Sequence, residues 1–333
     1  MVEAQTSQAQ LDDAARFIVD PVAAGLDRVV TNLTALAAES GLPGGDMAAQ
    51  AIVSGGKKIR PTITLLAGAL RPCDDGRIVT MATAIELLHI ASLIHDDTVD
   101  NADTRRGRAT VSSIFGADVA VLLGDYVFAS SATFVCDTGN IRVIRRFSET
   151  IMELARGELA ERFSVHDWSQ SIEDYKLRIY DKTASLICTA AESGAVLSGA
   201  PEEHVQALRS FGYNVGMAFQ IVDDVLDFTG SEEELGKPAG ADLLQGTLTL
   251  PALLYAERRP GDPVVRRLLD GSRDEDDLRA LVSLVRESSI IDEALATLDD
   301  YRAAARAALA QLPDSRPRNS LEALIDYVTQ RRS

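Results

Sequence analysis

The stretch IELLHIASLIHDDTVDNADTRRG (85–107) decides the fold. Its apolar residues Ile85, Leu88, Ile90, Leu93, Ile94 and Val99 recur at helical spacing. Asp96 and Asp100 are four apart and project from one side of such a helix, with Asp97 close beside them. Like charges at that spacing destabilise a helix, and an apolar setting raises the cost unless something compensates. A hard divalent cation, which takes oxygen ligands, is the natural compensation. A second stretch, AFQIVDDVLDFTG (218–230), repeats the pattern with Asp223, Asp224 and Asp227. One such cluster is ordinarily a solvated acidic face. Two of them, both set in apolar runs, point to metal ions clamping a diphosphate and drawing charge from a leaving group.

Working outward, apolar residues keep the same helical spacing through nearly the whole chain. Turn signals stand at LPGGD (42–46), RPCDDG (71–76), DTGN (137–140), SGAPEE (198–203), SEEELGKPAGAD (231–242) and RRPGD (258–262). They divide the sequence into ten or more helices with no compositional boundary, so residues 1–333 read as a single all-α domain. No G-x-G-x-x-G follows a strand, which disfavours a parallel α/β sheet.

The net charge of −17, from 50 acidic and 33 basic residues, argues against a nucleic-acid partner. An acidic protein that binds a polyanion needs a few placed cations and metal ions. Cys73, Cys136 and Cys188 lack CxxC pairing and read as core thiols rather than a disulfide or zinc framework. The amino terminus has no basic segment leading into an apolar run, and runs such as AVLLGDYVFA (120–129) meet a charge well short of the ~18 residues of a membrane span. A soluble cytoplasmic protein is expected, with peripheral membrane contact if its product is apolar.

The cations lie near the acids. His89 precedes Asp96 by seven residues, two turns along the same face, and Arg105 and Arg106 follow Asp100. In GGKKIRP (55–61) two glycines lead into Lys57 and Arg60, which would share a helical face, and Pro61 suits a first turn. Taken singly, this segment is equally an ordinary basic helix start, and a lone His89 is more often a core residue.

Six elements in order, GGKKIRP (55–61), DDTVD (96–100) with its following RR, GDYVFA (124–129), KTA (182–184), FQIVDDVLD (219–227) and GKPAGADLLQGTLTLP (236–251), resemble the trans-isoprenyl diphosphate synthase (polyprenyl synthetase) family. The resemblance implies an isoprenoid-synthase-type helical bundle around a central cavity, usually a homodimer. It implies magnesium-dependent, head-to-tail condensation of isopentenyl diphosphate with an allylic diphosphate. By the same resemblance Lys57, Arg60, His89 and Arg106 bind the diphosphate of isopentenyl diphosphate. Asp96 and Asp100 ligate Mg2+ on the allylic diphosphate, Asp97 supports them, and Asp223 with Asp227 holds a further ion, giving three ions in all. Asp224 belongs to the catalytic set. Arg105, Lys182 and Lys237 contact the allylic diphosphate, and Thr183 and Gln220 stand beside the reacting carbons. One position departs from the pattern: Thr247 occupies a place where many relatives carry lysine.

Chain growth is expected to run down the helical core past Ala91 and Ser92, then Leu88. The first two are small and lie roughly 6 to 8 Å along the axis from the aspartates. Phe128 is a candidate for closing a deeper level. A product longer than C15 is the expectation. A terpene cyclase of the same fold would not need the second diphosphate site, and a modulatory, non-catalytic subunit would have lost aspartates.

Overall fold

The computed structural model describes residues 2–39, 51–52, 56–105, 107–230 and 238–329. The described chain is almost entirely helical, in agreement with the all-α expectation. Its elements are α1 (Val2–Val19), α2 (Ala23–Glu39), α3 (Ile59–Gly68), α4 (Gly76–Val99), a two-strand ribbon β1 (Thr104–Arg105) and β2 (Arg108–Ala109), α5 (Val111–Phe115), α6 (Ala117–Asp137) and α7 (Ile141–Phe163). These are followed by α8 (Ile172–Ile179), a π turn (Tyr180–Ala184), α9 (Ser185–Leu197), α10 (Glu202–Thr229), α11 (Ala241–Leu244), α12 (Leu250–Arg258), α13 (Pro263–Leu269), α14 (Glu275–Arg286), α15 (Ile290–Leu309) and α16 (Arg316–Thr329).

The breaks fall where turn chemistry puts them. Gly139, at φ 62°, sits in the DTGN link between α6 and α7, and Asp262 of RRPGD accepts the Val264 backbone N–H at 2.8 Å as the cap of α13. The signals at 42–46 and 231–237 lie outside the described residues. At the start of α8, Ser171 and Asp174 form a reciprocal capping box. Asn101, at φ 51°, ends α4 in the left-handed region that asparagine tolerates.

The described residues fall into two compact units. One comprises the described residues of 1–147 with Thr189–Leu208 and Pro313–Leu321; the other comprises Ser148–Cys188, Arg209–Leu312 and the described residues of 322–333. In the first, α4 is the central element and packs mainly on α6, with α2 and α3 alongside. It is covered on nearly all sides, burying Met81, Ile85, Leu87 and Leu88. It also buries Glu86, which pairs with Lys58 at 3.0 Å.

In the second unit the core joins Tyr175 and Ile179 of α8 to Met217, Ile221 and Phe228 of α10, and on to Leu253, Leu281 and Leu298 of later helices. Two glycines on α10 permit close helix contact. A Cβ on Gly216 would stand 2.5 Å from the Ala184 Cα, and one on Gly212 would stand 2.7 Å from the Cys188 Cα. The four-residue spacing on both chains keeps the two contacts on one face.

One expectation needs correcting. Helices α4 and α6 are each long and apolar enough, by length and composition, to cross a membrane; in α6 a single charged residue, Asp125, interrupts residues 119–136. The apolar window of α4 is 72% buried, as in a core helix of a soluble protein, whereas that of α6 is 33% buried. The exposed side of α6 carries Val119, Val121 and Leu122.

Candidate active site

In the first unit, the α4 C-terminus gathers the first aspartate set. The backbone N–H of Asp100 donates to the Asp96 carbonyl at 2.8 Å, so Asp100 caps the helix one turn beyond Asp96. The negative end of a helix dipole adds to three carboxylates there, and the local field favours a cation. The three acids are not equivalent. Asp97 is buried and accepts from Arg105 Nε at 2.6 Å, while Asp96 is half-buried and Asp100 exposed. Burial pushes the Asp97 carboxyl above its usual range, against the pull of Arg105. Arg105 is delivered by the β1–β2 ribbon, in which Thr104 pairs with Ala109 and Arg105 with Arg108. Arg106 lies outside the described residues.

Arg60 and His89, both assigned to one diphosphate, meet here: Arg60 Nη1 lies 3.1 Å from His89 Nε2. A guanidinium only donates, so Nε2 accepts and the neutral ring keeps its proton on Nδ1. Lys57 departs from expectation. Helix α3 begins at Ile59, with Lys58 at φ 47° as its cap, so Lys57 precedes the helix and shares no helical face with Arg60. Two successive lysines led by glycine read equally well as first turn or as approach to it, and the left-handed Lys58 decides for the latter. Along α4, Leu88 and Ala91 are buried, and Ser92 is half-buried with its hydroxyl donating to the His89 carbonyl at 2.9 Å. Phe128 is half-buried on α6.

The second unit assembles a connected polar chain. Tyr175 is fully buried and its hydroxyl donates to Asp224 Oδ2 at 2.6 Å; Gln220 Nε2 donates to Asp224 Oδ1 at 2.9 Å; Thr183 Oγ1 donates to Gln220 Oε1 at 2.9 Å. Asp224 thus sets the Gln220 amide, and Gln220 sets the Thr183 hydroxyl. Burial raises the Asp224 carboxyl to about 7, against these two donors. Asp223 is half-buried. Asp227 is buried, with Oδ2 accepting the Asp242 backbone N–H at 3.2 Å and its own carbonyl accepting from Gly240 at 2.7 Å. This fastens the segment leading to Thr247, whose backbone N–H donates to the Asp242 carbonyl. Lys237 lies outside the described residues.

Lys182 sits in the π turn, a helical irregularity frequent at functional sites. Its ammonium pairs with Glu158 at 3.1 Å and with Glu161. Burial alone would lower its pKa, but the two carboxylates outweigh it and hold the group protonated.

Tyr175, Glu158 and Glu161 were not legible as site residues. Tyr175 stands 49 residues from Asp224, with no local pattern linking them. The glutamates resemble ordinary exposed positions of an amphipathic helix.

Among the described residues no three His, Cys, Asp or Glu side chains form a ready-made metal cage. The donor chemistry suits Mg2+, which is held by one or two carboxylates together with phosphate oxygens and water. In each triad the middle aspartate is committed to protein donors, and a more open one, Asp96 or Asp223, stands beside it.

A chain whose described residues are almost entirely helical, with two aspartate-bearing helices and a charged lysine next to a fixed Thr–Gln pair, has the makings of a diphosphate-handling enzyme. The family model for polyprenyl synthetase matches residues 45–285. The heptaprenyl diphosphate synthase component 2 of Bacillus subtilis (strain 168) is 36% identical over 94% of this chain and 88% of its own length. Among solved structures, a decaprenyl diphosphate synthase from Rhodobacter capsulatus superposes with a TM-score of 0.88 at 32% identity, covering 96% of this chain and 99% of that one. A polyprenyl synthase from Caulobacter crescentus CB15, solved with calcium and isoprenyl diphosphate, gives a TM-score of 0.84 at 34% identity, covering 96% and 98%. The chain belongs to the polyprenyl synthetase family.

Proposed function

We propose that this protein condenses isopentenyl diphosphate with an allylic diphosphate, head to tail, and releases an all-trans polyprenyl diphosphate longer than C15. The observation that carries the reading is the fixed chain Tyr175–Asp224–Gln220–Thr183 beside the charged Lys182. It is supported by family membership and by similarity to synthases of seven- and ten-unit products. Asp96 with Asp100, and separately Asp223 with Asp227, are the groups that would hold magnesium, which would supply charge neutralisation on a diphosphate leaving group.

The protein's own groups do the rest. Lys182 donates to diphosphate oxygens as the allylic C–O bond breaks, taking up the developing negative charge. The fixed Thr183 and Gln220 dipoles face the resulting allylic cation with oriented oxygens. Arg60, with His89 set behind it, holds the second diphosphate while the isopentenyl double bond supplies the electron pair for the new C–C bond. A proton then leaves the adjacent carbon to the released pyrophosphate. No side-chain nucleophile is needed.

Incubation with farnesyl diphosphate, radiolabelled isopentenyl diphosphate and Mg2+ tests the reading. Products beyond C15 are expected; C10 or C15 material alone rejects the product length, and no prenyl transfer rejects the activity. Small Ala91 on α4 supports the length assignment, and Ala91→Phe is expected to shorten the product.

We further propose that the protein works as a homodimer. The exposed Val119, Val121 and Leu122 of α6 support this, since apolar side chains left in solvent favour association. A monomeric mass by light scattering rejects it. A second reading, that the chain is one component of a two-part synthase, is favoured by the name of the Bacillus subtilis relative. Activity of the purified chain alone decides between them.

A further inference from the structure

The π turn carries Lys182 and Thr183 in succession, and α7 is the element it leans on. Arg156 grips the buried Asp181 through both Nε and Nη2 at 2.6 Å. A Cβ on Gly157 would stand 2.6 Å from the Lys182 backbone nitrogen, so the α7 backbone touches the turn at that residue. The next residue, Glu158, and Glu161 one turn on, both reach the Lys182 ammonium. Lys182, Glu158 and Glu161 have side-chain exposures of 32%, 23% and 26%. These ties are therefore less screened than those of a surface pair.

An ammonium has three N–H donors. Two are directed to Glu158 and Glu161, so the direction of the third is set by the other two. A four-carbon side chain that would otherwise sample many rotamers is held in one. The backbone below it is fixed independently by Arg156–Asp181 and by the Gly157 contact, so the glutamates act on the side chain rather than on the turn.

We propose that Glu158 and Glu161 are positioning residues for the allylic diphosphate: they orient Lys182 so that its remaining N–H meets the leaving group. The proposal rests on the assignment of Lys182 made under Proposed function. The protonated state of Lys182, maintained by the same two carboxylates, is consistent with it.

The test is a double-mutant cycle in the full chain, comparing the unaltered protein, Glu158→Gln with Glu161→Gln, Lys182→Gln, and all three together. The glutamine pair keeps oxygen acceptors of the same shape, so the fold is retained. It is expected to lower kcat with farnesyl diphosphate roughly ten- to a hundredfold, the scale of an ångström-sized misplacement. KM for isopentenyl diphosphate should stay unchanged. In the Lys182→Gln background the same pair should change kcat by less than about twofold, the margin of additivity.

A glutamine pair that leaves kcat unaltered, or lowers it equally in both backgrounds, overturns the proposal. If Lys182→Gln leaves no measurable turnover, the same four proteins are compared for affinity to inorganic pyrophosphate with Mg2+; non-additive changes support the proposal and additive or absent ones overturn it. Failure of the unaltered protein to transfer prenyl groups at all would count against the functional reading, and the pyrophosphate cycle still decides the role of the glutamates.

Discussion

Replacing Tyr175 by phenylalanine removes one oxygen from a fully buried site and asks what that hydroxyl does for Asp224. A hydrogen bond to a charged group contributes about 1.5–3 kcal/mol. Stranding a buried charge outright costs about 3–5 kcal/mol. Asp224 has a way to avoid the larger loss, because its carboxyl already titrates at about 7. At pH 7.5 a group with that pKa takes up a proton for about 0.7 kcal/mol. Tyr175→Phe is therefore expected to destabilise the metal-free protein by about 2 kcal/mol, read as a lower urea midpoint with an unchanged slope. Protonated Asp224 is a poorer acceptor for Gln220, which loosens the amide that fixes the Thr183 hydroxyl. A fall in kcat of roughly tenfold should follow, at constant KM for isopentenyl diphosphate. A variant with the parental urea midpoint and parental kcat would refute the reasoning that Tyr175, Asp224, Gln220 and Thr183 act as one chain.

Chelation by EDTA should abolish turnover and excess Mg2+ restore it, and Asp96→Asn or Asp223→Asn should each lower kcat about a thousandfold at near-parental stability, measured by steady-state kinetics and thermal melting. Gly216→Ala places a methyl group 2.5 Å from the Ala184 Cα, a backbone neighbour that cannot rotate away. The variant should lose about 1–3 kcal/mol of stability in urea titration. The Glu202 carboxyl is held down from 4.5 to about 2 by Arg142 and then Gln206. The folded form thus binds the proton more weakly than the unfolded chain, so this stabilisation is complete above pH 4.5 and disappears as pH falls towards 2. Glu202→Gln should flatten that part of the acid limb of stability against pH.

Sequence periodicity already specified a great deal. The apolar spacing of Ile85, Leu88, Ile90, Leu93 and Ile94 made α4 a helix, and DTGN and RRPGD marked the ends of α6 and α12, because capping and turn chemistry act within a few residues. The aspartate triads were legible for the same reason: four-residue spacing is itself a local geometry. So was Gln220, three residues before Asp223 on one face of a helix, whereas its bond to Asp224 came only from the structure. The start of α3 was less legible, since nothing local distinguishes a left-handed Lys58 from a first helical residue, and Lys57 was consequently placed on the wrong side of the boundary.

Other properties were settled only when distant segments met. The six ordered motifs and the two acid sets were written in the chain itself, as was the helical class, since each depends on neighbours no more than a few residues apart. Which aspartate in a triad is buried and which stays open was decided by partners from elsewhere, Arg105 for Asp97 and Tyr175 for Asp224. The same holds for Lys182, whose carboxylate partners lie 21 and 24 residues earlier on another helix. Burial and hydrogen-bond direction are properties of a packed neighbourhood, and a linear sequence carries no distance between residues that far apart.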